Sequence, residues 1–533
     1  MKKIISITLA LAVLLCAAGC GKPEAKEPEA TTPPQAAQPM IDPVDDNFRT
    51  MYQIFVCSFS DSNRDGVGDL RGVINRLDYL NDGDMSSGSD LGVQGIWLSP
   101  IFKSPSYHKY DASDYYGIDW RYGSEEDLKE LVAACHARNM IVILDLAINH
   151  TSRQHPWFQA FRQARIDGNT ADPYYNFYSC VTTAQKKGGI SYQKLAPGID
   201  CWYECNFSGD MPELNYNNPA VKQAVVDVAQ YYLDLGVDGF RFDAVKYIHY
   251  GDTNRSVAFW NWYISQLVQI KPDIYCVGEC WSGDSEILKY YPAMNCFNFA
   301  MATAEGTVAA AARGQSISKY TGYVANLQKN ILAKNPNGMV MGFLSNHDMD
   351  RIAGAFSTEN RMRMAANLYL LSPGSPTIYY GEELGIRGSR GSENTDANRR
   401  LAMLWGDDDL VHSPTGATYP DSKQIKTTVA DQLADENSML RYYQKLIALR
   451  HKYPAIPRGV YTSIDCGQKN FGGFRVTYEG QSLGIFHNNG NEEISYNIAS
   501  YGFTQLLDSI GVSGATFDGT TLTLGPQTSA IVE

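Results

Sequence analysis

The sequence predicts a parallel (β/α) barrel interrupted by one inserted subdomain and followed by an all-β appendage. Three observations carry that expectation. Short apolar segments alternate with amphipathic helical ones, and polar or charged residues stand directly after the apolar segments, where such a barrel places its chemistry. One long stretch, Thr151–Pro212, breaks the rhythm. Past Pro457 the chain turns to short alternating strands punctuated by Gly and Asn turns. With 533 residues, 44% of them hydrophobic, the chain can bury a large core. A net charge of −13 with no basic run argues against nucleic acid or an anionic membrane surface as a partner.

Taken in order, Lys2 and Lys3 precede the apolar run Ile4–Leu15, which is too short to span a bilayer and reads as an export signal. Ala17-Ala18-Gly19 then precede Cys20, resembling a bacterial lipobox with Ala in place of Leu three residues before the cysteine. The expectation is a signal peptide over 1–19, lipidation at Cys20, and a tether over 20–47, rich in Pro, Ala, Glu and Thr, that holds the protein to a membrane of the cell envelope. Of 11 cysteines, Cys16 leaves with the signal and Cys20 carries lipid. Cys180, Cys201 and Cys205 cluster where a disulfide can form, with the pairing left open. Cys57, Cys135 and Cys276 fall in apolar patterns that predict buried thiols.

Met51–Phe59 reads as a buried strand running into Asp61-Ser-Asn63-Arg-Asp65-Gly66-Val67-Gly68-Asp69. Oxygen side chains at alternate positions, with a glycine for the sharp turn, are what a hard cation requires. The expected calcium ligands are Asp61, Asn63, Asp65 and Asp69 by side chain and Val67 by carbonyl. Gly72 stands where an EF-hand has its bidentate Glu, so the loop stands alone. Leu70–Leu80 is amphipathic and helical, Gly95–Pro100 is a short strand, and Ser124–Arg138 is a helix capped by Ser124 with Asp127 three residues on. Met140–Leu144 is a strand with Asp145, Asn149 and His150 at its end. Thr151–Pro212 is too long for a structureless loop and reads as an inserted subdomain. The barrel resumes with the helix Val221–Leu235, closed by Gly236, and the strand Gly239–Phe242. Arg241 lies two residues before Asp243, so both side chains face one side of that strand. Further strands are expected at Ile274–Val277, Met339–Leu344 and Pro376–Tyr380, with helices at Asn261–Gln269, Arg361–Leu371 and Asn437–Lys452.

Three acids, Asp243, Glu279 and Asp348, and two histidines, His150 and His347, thus stand at strand ends. No His-Glu-x-x-His or Gly-x-Gly-x-x-Gly occurs, and no redox cofactor is expected. Carboxylates alone point to acid/base and nucleophilic work on a stable bond. Glycoside cleavage, which needs one carboxylate and one carboxylic acid, is the leading case.

On these residues the chain resembles the α-amylase family, glycoside hydrolase family thirteen. Asp145-Leu-Ala-Ile-Asn149-His150, Gly239–Lys246, the segment holding Glu279, and Phe343–Asp348 match the family's four regions in order, and Met211-Pro-Glu-Leu-Asn215 resembles its extra region. The resemblance runs from about Phe48 onward. It implies a (β/α)8 TIM barrel over 48–150 and 213–453, domain B over 151–212 after strand 3, and a C-terminal β-sandwich over 454–533. It implies Asp243 as nucleophile, Glu279 as general acid and then base, and Asp348 as the group that holds sugar hydroxyls and stabilises the transition state. Arg241 would keep Asp243 ionised, His150 and His347 would hydrogen-bond the sugar, and Tyr110 would stack on it. Asp396 and Arg400 resemble a pair that contacts the next sugar out. Lys246 and Ala244 resemble the residues of members that act on α-1,4 bonds. Tyr247 departs from the histidine whose carbonyl, with Asn149, binds an interdomain calcium in many members. The implied protein is a monomeric, lipid-tethered enzyme that hydrolyses internal α-1,4 bonds of starch-like glucans. Two alternatives stand beside it: a maltogenic or transglycosylating enzyme on the same scaffold, and a non-catalytic starch-binding lipoprotein.

Overall fold

The structure, a computed structural model, describes residues 46–533 apart from Met85. The signal peptide, Cys20 and nearly all of the tether lie outside the described residues.

Seven parallel strands form one sheet. In chain order they are Met51–Ile54, Gly95–Leu98, Ile141–Leu146, Gly239–Phe242, Tyr275–Gly278, Asn295–Cys296 and Thr377–Tyr379. Each of the first five pairs with its neighbour in sequence, and Met51–Ile54 pairs with Thr377–Tyr379. The remaining gap is filled by residues 340–343. This segment meets its neighbours only through the single parallel bridges Phe297↔Met341 and Phe343↔Thr377. The continuous strand expected at Met339–Leu344 is therefore corrected to an irregular stave. The reason is local: the side-chain oxygens of Asn295 and Asn298 take the amides of Met339 and Met341, at 2.8 Å each, displacing a regular ladder. Eight staves nonetheless close the barrel; Tyr52, Ile96, Val142, Phe240 and Ile378 are fully buried on the faces of the staves opposite to Gln53, Trp97 and Arg241, which point inward.

Two other expectations shift. The strand from Met51 ends at Ile54 and a 3-10 turn, Val56–Ser58, follows, because the chain bends to start the Asp61 loop. The Leu70–Leu80 helix breaks at Arg76 into Leu70–Asn75 and Leu77–Leu80. Arg76 is drawn out of line by its ion pairs to Asp407 at 2.7 Å and Asp409 at 3.0 Å. The helix Glu125–His136 carries the reciprocal cap between Ser124 and Asp127. Gly236 adopts φ +97° after the helix Pro219–Asp234, a conformation that an L side chain resists.

The insert after the third stave holds the helix Pro156–Asp167 and a three-stranded antiparallel sheet of Cys180–Val181, Trp202–Glu204 and Tyr192–Lys194. Cys180 and Cys201 form a disulfide within it, and Cys205 stays a buried thiol, as do Cys57, Cys135 and Cys276. After the helix Met439–Lys452 come two antiparallel sheets of five and three strands. Phe471, Phe486, Leu522 and Leu524 form the core between them. The other face of the larger sheet contributes Tyr461, Phe474 and Ile485 to the barrel's own core.

Candidate active site

The fourth, fifth and seventh staves end in Asp243, Glu279 and Asp348, and these carboxyls meet at the C-terminal mouth of the barrel. Arg241 organises them. Its guanidinium is fully buried and donates through Nη1 to Asp243 Oδ1 at 2.7 Å and to Asp145 Oδ1 at 2.9 Å. Its other arm, Nη2, stands 3.4 Å from Glu279 Oε1, an ion pair without hydrogen-bond alignment. One guanidinium thus spans Asp243 and Glu279, which fixes the two carboxyls side by side.

Backbone strain contributes to the same arrangement. Ala244, directly after Asp243, sits at φ +53°, ψ +40°, a left-handed conformation that is costly for a residue with a Cβ. That twist turns its N–H onto Glu279 Oε2 at 3.1 Å. Burial pushes the Glu279 carboxyl up to about 7; Arg241 opposes the rise, while Asp243 and Asp348 add to it. Asp348 goes the other way. Burial would raise it, but His347 and then Arg400 hold it well below the usual carboxylate range. Arg400 Nη2 donates to Asp348 Oδ1 at 2.8 Å, and His347 Nε2 lies 2.9 Å from Asp348 Oδ2.

The histidines differ in their partners. His347 is held on both ring nitrogens, by Gln53 at Nδ1 and by Tyr110 at Nε2, at 2.8 and 2.7 Å. The Tyr110 ring lies parallel to it at 5.3 Å. His150 is buried, and its Nε2 has no partner among the described residues, so it is available to a hydroxyl placed in the mouth. Burial lowers both histidines from their ordinary range, which favours neutral imidazoles. Lys246 reaches over to donate to the Trp281 carbonyl at 2.6 Å, and the Trp281 ring lies against Phe299.

Asp396 and Arg400 do not pair with each other. Asp396 opens a 3-10 turn that places Arg399 over it at 3.1 Å, and Arg390 joins it at 2.8 Å. Arg400, one residue past that turn, enters the barrel mouth and serves Asp348 and the Tyr107 hydroxyl instead. Sequence reasoning also left Asp145 out of the site. Its fully buried carboxylate accepts from Arg241, from Trp97 Nε1 at 3.2 Å and from Tyr110 at 2.7 Å. Its place at the end of the third stave, four residues before Asn149, was the available signal.

The Asp61–Asp69 loop lies apart from these groups. Asp61 accepts the amides of Asn63, Arg64 and Gly66, Asn63 that of Asp65, Asp65 that of Val67, and Asp69 those of Ser62 and Gly72. Gly66 makes the sharp turn at φ +87°. Among the described residues no three His, Cys, Asp or Glu gather closely enough to hold a metal on those groups alone. Asp61 and Asp69 are nevertheless both buried, and neither has a basic partner among the described ion pairs. Burial raises Asp69, and Asp61 raises it further. An all-oxygen set around two mutually repelling carboxyls fits a hard cation.

A paired carboxyl and carboxylate at the mouth of an eight-staved barrel, with neutral histidines beside them, define a glycosidase-type site. The chain matches the family model described as "Alpha amylase, catalytic domain" over residues 53–459, and it belongs to the α-amylase family, glycoside hydrolase family thirteen. It is 32% identical over 487 residues to Alpha-amylase 3 of Dictyoglomus thermophilum, an alignment covering 90% of this chain and 92% of that protein. It is 30% identical to a 4-alpha-glucanotransferase of Thermotoga maritima, over 84% of this chain and 96% of that one. Among solved structures, Eubacterium rectale Amy13B superposes with a TM-score of 0.86 at 33% identity, covering 92% of this chain and 97% of that one.

Proposed function

We propose that this chain is a retaining hydrolase of internal α-1,4-glucosidic bonds in starch, glycogen and maltooligosaccharides. The observation that carries the reading is the single buried guanidinium of Arg241 set between Asp243 and Glu279. A retaining pair must stand close, roughly 5 Å apart, and a shared arginine enforces closeness. An Asp243 carboxylate oxygen attacks the anomeric carbon as the glycosidic C–O bond breaks, and the Glu279 proton passes to the leaving oxygen. Water then gives a proton to Glu279 and displaces Asp243 from the anomeric carbon. Asp348, kept charged by His347 and Arg400, faces the positive charge that develops on the ring. His150 offers its free Nε2 to a sugar hydroxyl. The α-1,4 preference rests on Ala244 and Lys246. Reducing-sugar release from soluble starch is the decisive measurement. Asp243→Asn is expected to cut it by at least about 1,000-fold with an unchanged circular dichroism spectrum. Near-parental activity in that variant would remove Asp243 as nucleophile.

The glucanotransferase relative favours a second reading, in which a sugar rather than water takes the glycosyl group. Chromatography of maltotriose digests over time separates the two, since longer oligomers arise only by transfer. A purely binding lipoprotein is the weaker alternative, because it has no use for a protonated Glu279 beside Asp243.

Two further features belong to this proposal. Calcium, held by Asp61, Asn63, Asp65, the Val67 carbonyl and Asp69, would neutralise the buried carboxyls and fix the loop. Lipid on Cys20 would hold the enzyme at a membrane of the bacterial envelope as a monomer, and mass spectrometry of the mature N-terminus reads that modification directly.

A further inference from the structure

Within the inserted domain, the helix Pro156–Asp167 and the strand Tyr192–Lys194 border an open cavity of about 750 Å³. Its floor is apolar: buried Phe158 and Tyr203 meet edge to face at 5.1 Å. Its rim carries three cations, Arg153, Arg162 and Lys194, and no carboxylate. Arg153 reaches Asp210 at 3.3 Å, whereas Arg162 and Lys194 enter no ion pair among the described residues. In a chain of net charge −13, a hollow lined by cations alone is a local reversal of sign. Such a hollow concentrates anions. The volume lies in the range of small-molecule sites. A second hollow of about 310 Å³ shares Arg153 and Gln159 with the first and is lined further on by Ser106 and by the carboxylates Asp111 and Asp210. Ser106 and Asp111 belong to the loop that carries Tyr107 and Tyr110.

We propose that this cavity binds a hexose unit bearing a phosphate group. The planar fork of an arginine matches phosphate oxygens, and a lysine adds a point charge. The apolar lining, with Pro197 exposed at its edge, suits the C–H side of a pyranose, and the side-chain amide of Gln193 stands at the rim for hydroxyls. The phosphate can arrive in two ways that share this chemistry: as an ester on an α-glucan chain, or on a free sugar phosphate.

The test is calorimetric titration of the full chain with glucose 6-phosphate, glucose and inorganic phosphate. The expected result is saturable binding of glucose 6-phosphate, with each of the other two weaker by at least about tenfold. The double variant Arg162→Ala/Lys194→Ala is expected to lose at least about tenfold in that affinity while keeping the parental melting temperature and the parental rate on maltopentaose. Neither side chain enters a salt bridge among the described residues, and Lys194 has only a distant contact with the Trp202 ring, at 6.0 Å, so the fold depends little on them. Equal affinity in parent and double variant, equal binding of glucose, or no saturable binding of glucose 6-phosphate would each overturn the proposal. Phosphorylated and dephosphorylated starch then distinguish the sources. A preference for the phosphorylated form that the double variant loses assigns the ester on the chain; no preference assigns the free sugar phosphate. Binding is read without turnover, so a chain that binds glucose 6-phosphate but leaves starch intact would refute only the hydrolase reading.

Discussion

At Glu279 two forces of opposite sign act on one proton. Burial favours the neutral acid, and the Arg241 arm at 3.4 Å favours the anion; burial prevails, leaving the group near pH 7. Its proton is the one the leaving oxygen needs, so the sign of the pH dependence follows. Below about 7 the acid is present; above it the protonated fraction falls tenfold per unit. The basic limb of kcat/KM on maltooligosaccharides is therefore expected to bend near 7, and Glu279→Gln is expected to abolish that limb together with most of the rate. A profile flat through pH 9 in the parent would contradict this role. Lys109 acts from further back. It is 1% exposed, sits at φ +62°, pairs with Asp119, and lies 4.5 Å from the Tyr122 ring. Its neighbours on either side, His108 and Tyr110, face the site, so the pair pins the loop that aims Tyr110 at Asp145 and His347. Breaking a buried pair from one side costs about 3 kcal/mol, here lessened by Arg121, which also holds Asp119. Lys109→Met is expected to lower kcat/KM roughly tenfold and to lower the melting temperature. Lys109→Met/Asp119→Asn should recover stability without recovering the rate.

At the scale of elements, the staves that carry the chemistry were the easiest to read. Gly239–Phe242 and Gly95–Leu98 are short, apolar and ended by glycine, proline or charge, and they fold as strands for that reason. The seventh stave misled, because its pattern is apolar but its hydrogen bonds go to asparagine side chains, which no periodicity reports. The carboxyls of the site were legible because each ends a stave. Asp145 carried the same strand-end signal; the partners of Arg400 were not legible, because they depend on contacts across the barrel mouth between residues far apart in sequence. The disulfide partner of Cys180 was open for the same reason. The Asp61–Asp69 loop shows the limit from the other side: its spacing is visible in sequence, and the structure shows the same oxygens holding the loop's own amides. A cation would relieve the repulsion between Asp61 and Asp69, and binding to the folded state alone stabilises by about 2.7 kcal/mol at a hundredfold excess over Kd. Chelation with EDTA is expected to lower the melting temperature by several degrees, and Asp61→Asn should shrink the difference. An unchanged melting temperature in EDTA would remove the calcium assignment.

Over the whole molecule, the barrel and the C-terminal sandwich are joined by buried polar and apolar contacts. Gln328 donates to the Gly459 carbonyl at 2.8 Å and accepts from the Tyr461 amide at 2.8 Å, while Thr321 meets Ser463 at 2.8 Å. The same interior stores protons at several separated places. Burial raises Glu382 to about 8, against the Tyr369 and Tyr443 hydroxyls that donate to it. Burial, reinforced by Glu204, raises Glu213 to about 8, and burial raises Asp90 to about 7. Unfolded, these groups titrate near pH 4. Between about pH 4 and 8 the folded chain therefore holds carboxyl protons that the unfolded chain has released, and these groups withdraw stability as pH rises through that window, whereas the buried histidines, lowered from their ordinary range, act in the opposite sense below about 6.5. The carboxyl stabilisation is complete below the unfolded values and is lost once the folded groups ionise. Asp348 has the opposite sign, since its depressed value withdraws stability only in strong acid. Above about pH 7, where the histidines no longer titrate, the melting temperature is thus expected to be higher near pH 7 than near pH 9. Glu382→Gln keeps an acceptor for both tyrosines without a titrating proton, so it is expected to flatten part of that slope. A melting temperature that rises from pH 7 to pH 9, or a slope untouched by Glu382→Gln, would show that these buried carboxyls do not set the pH dependence.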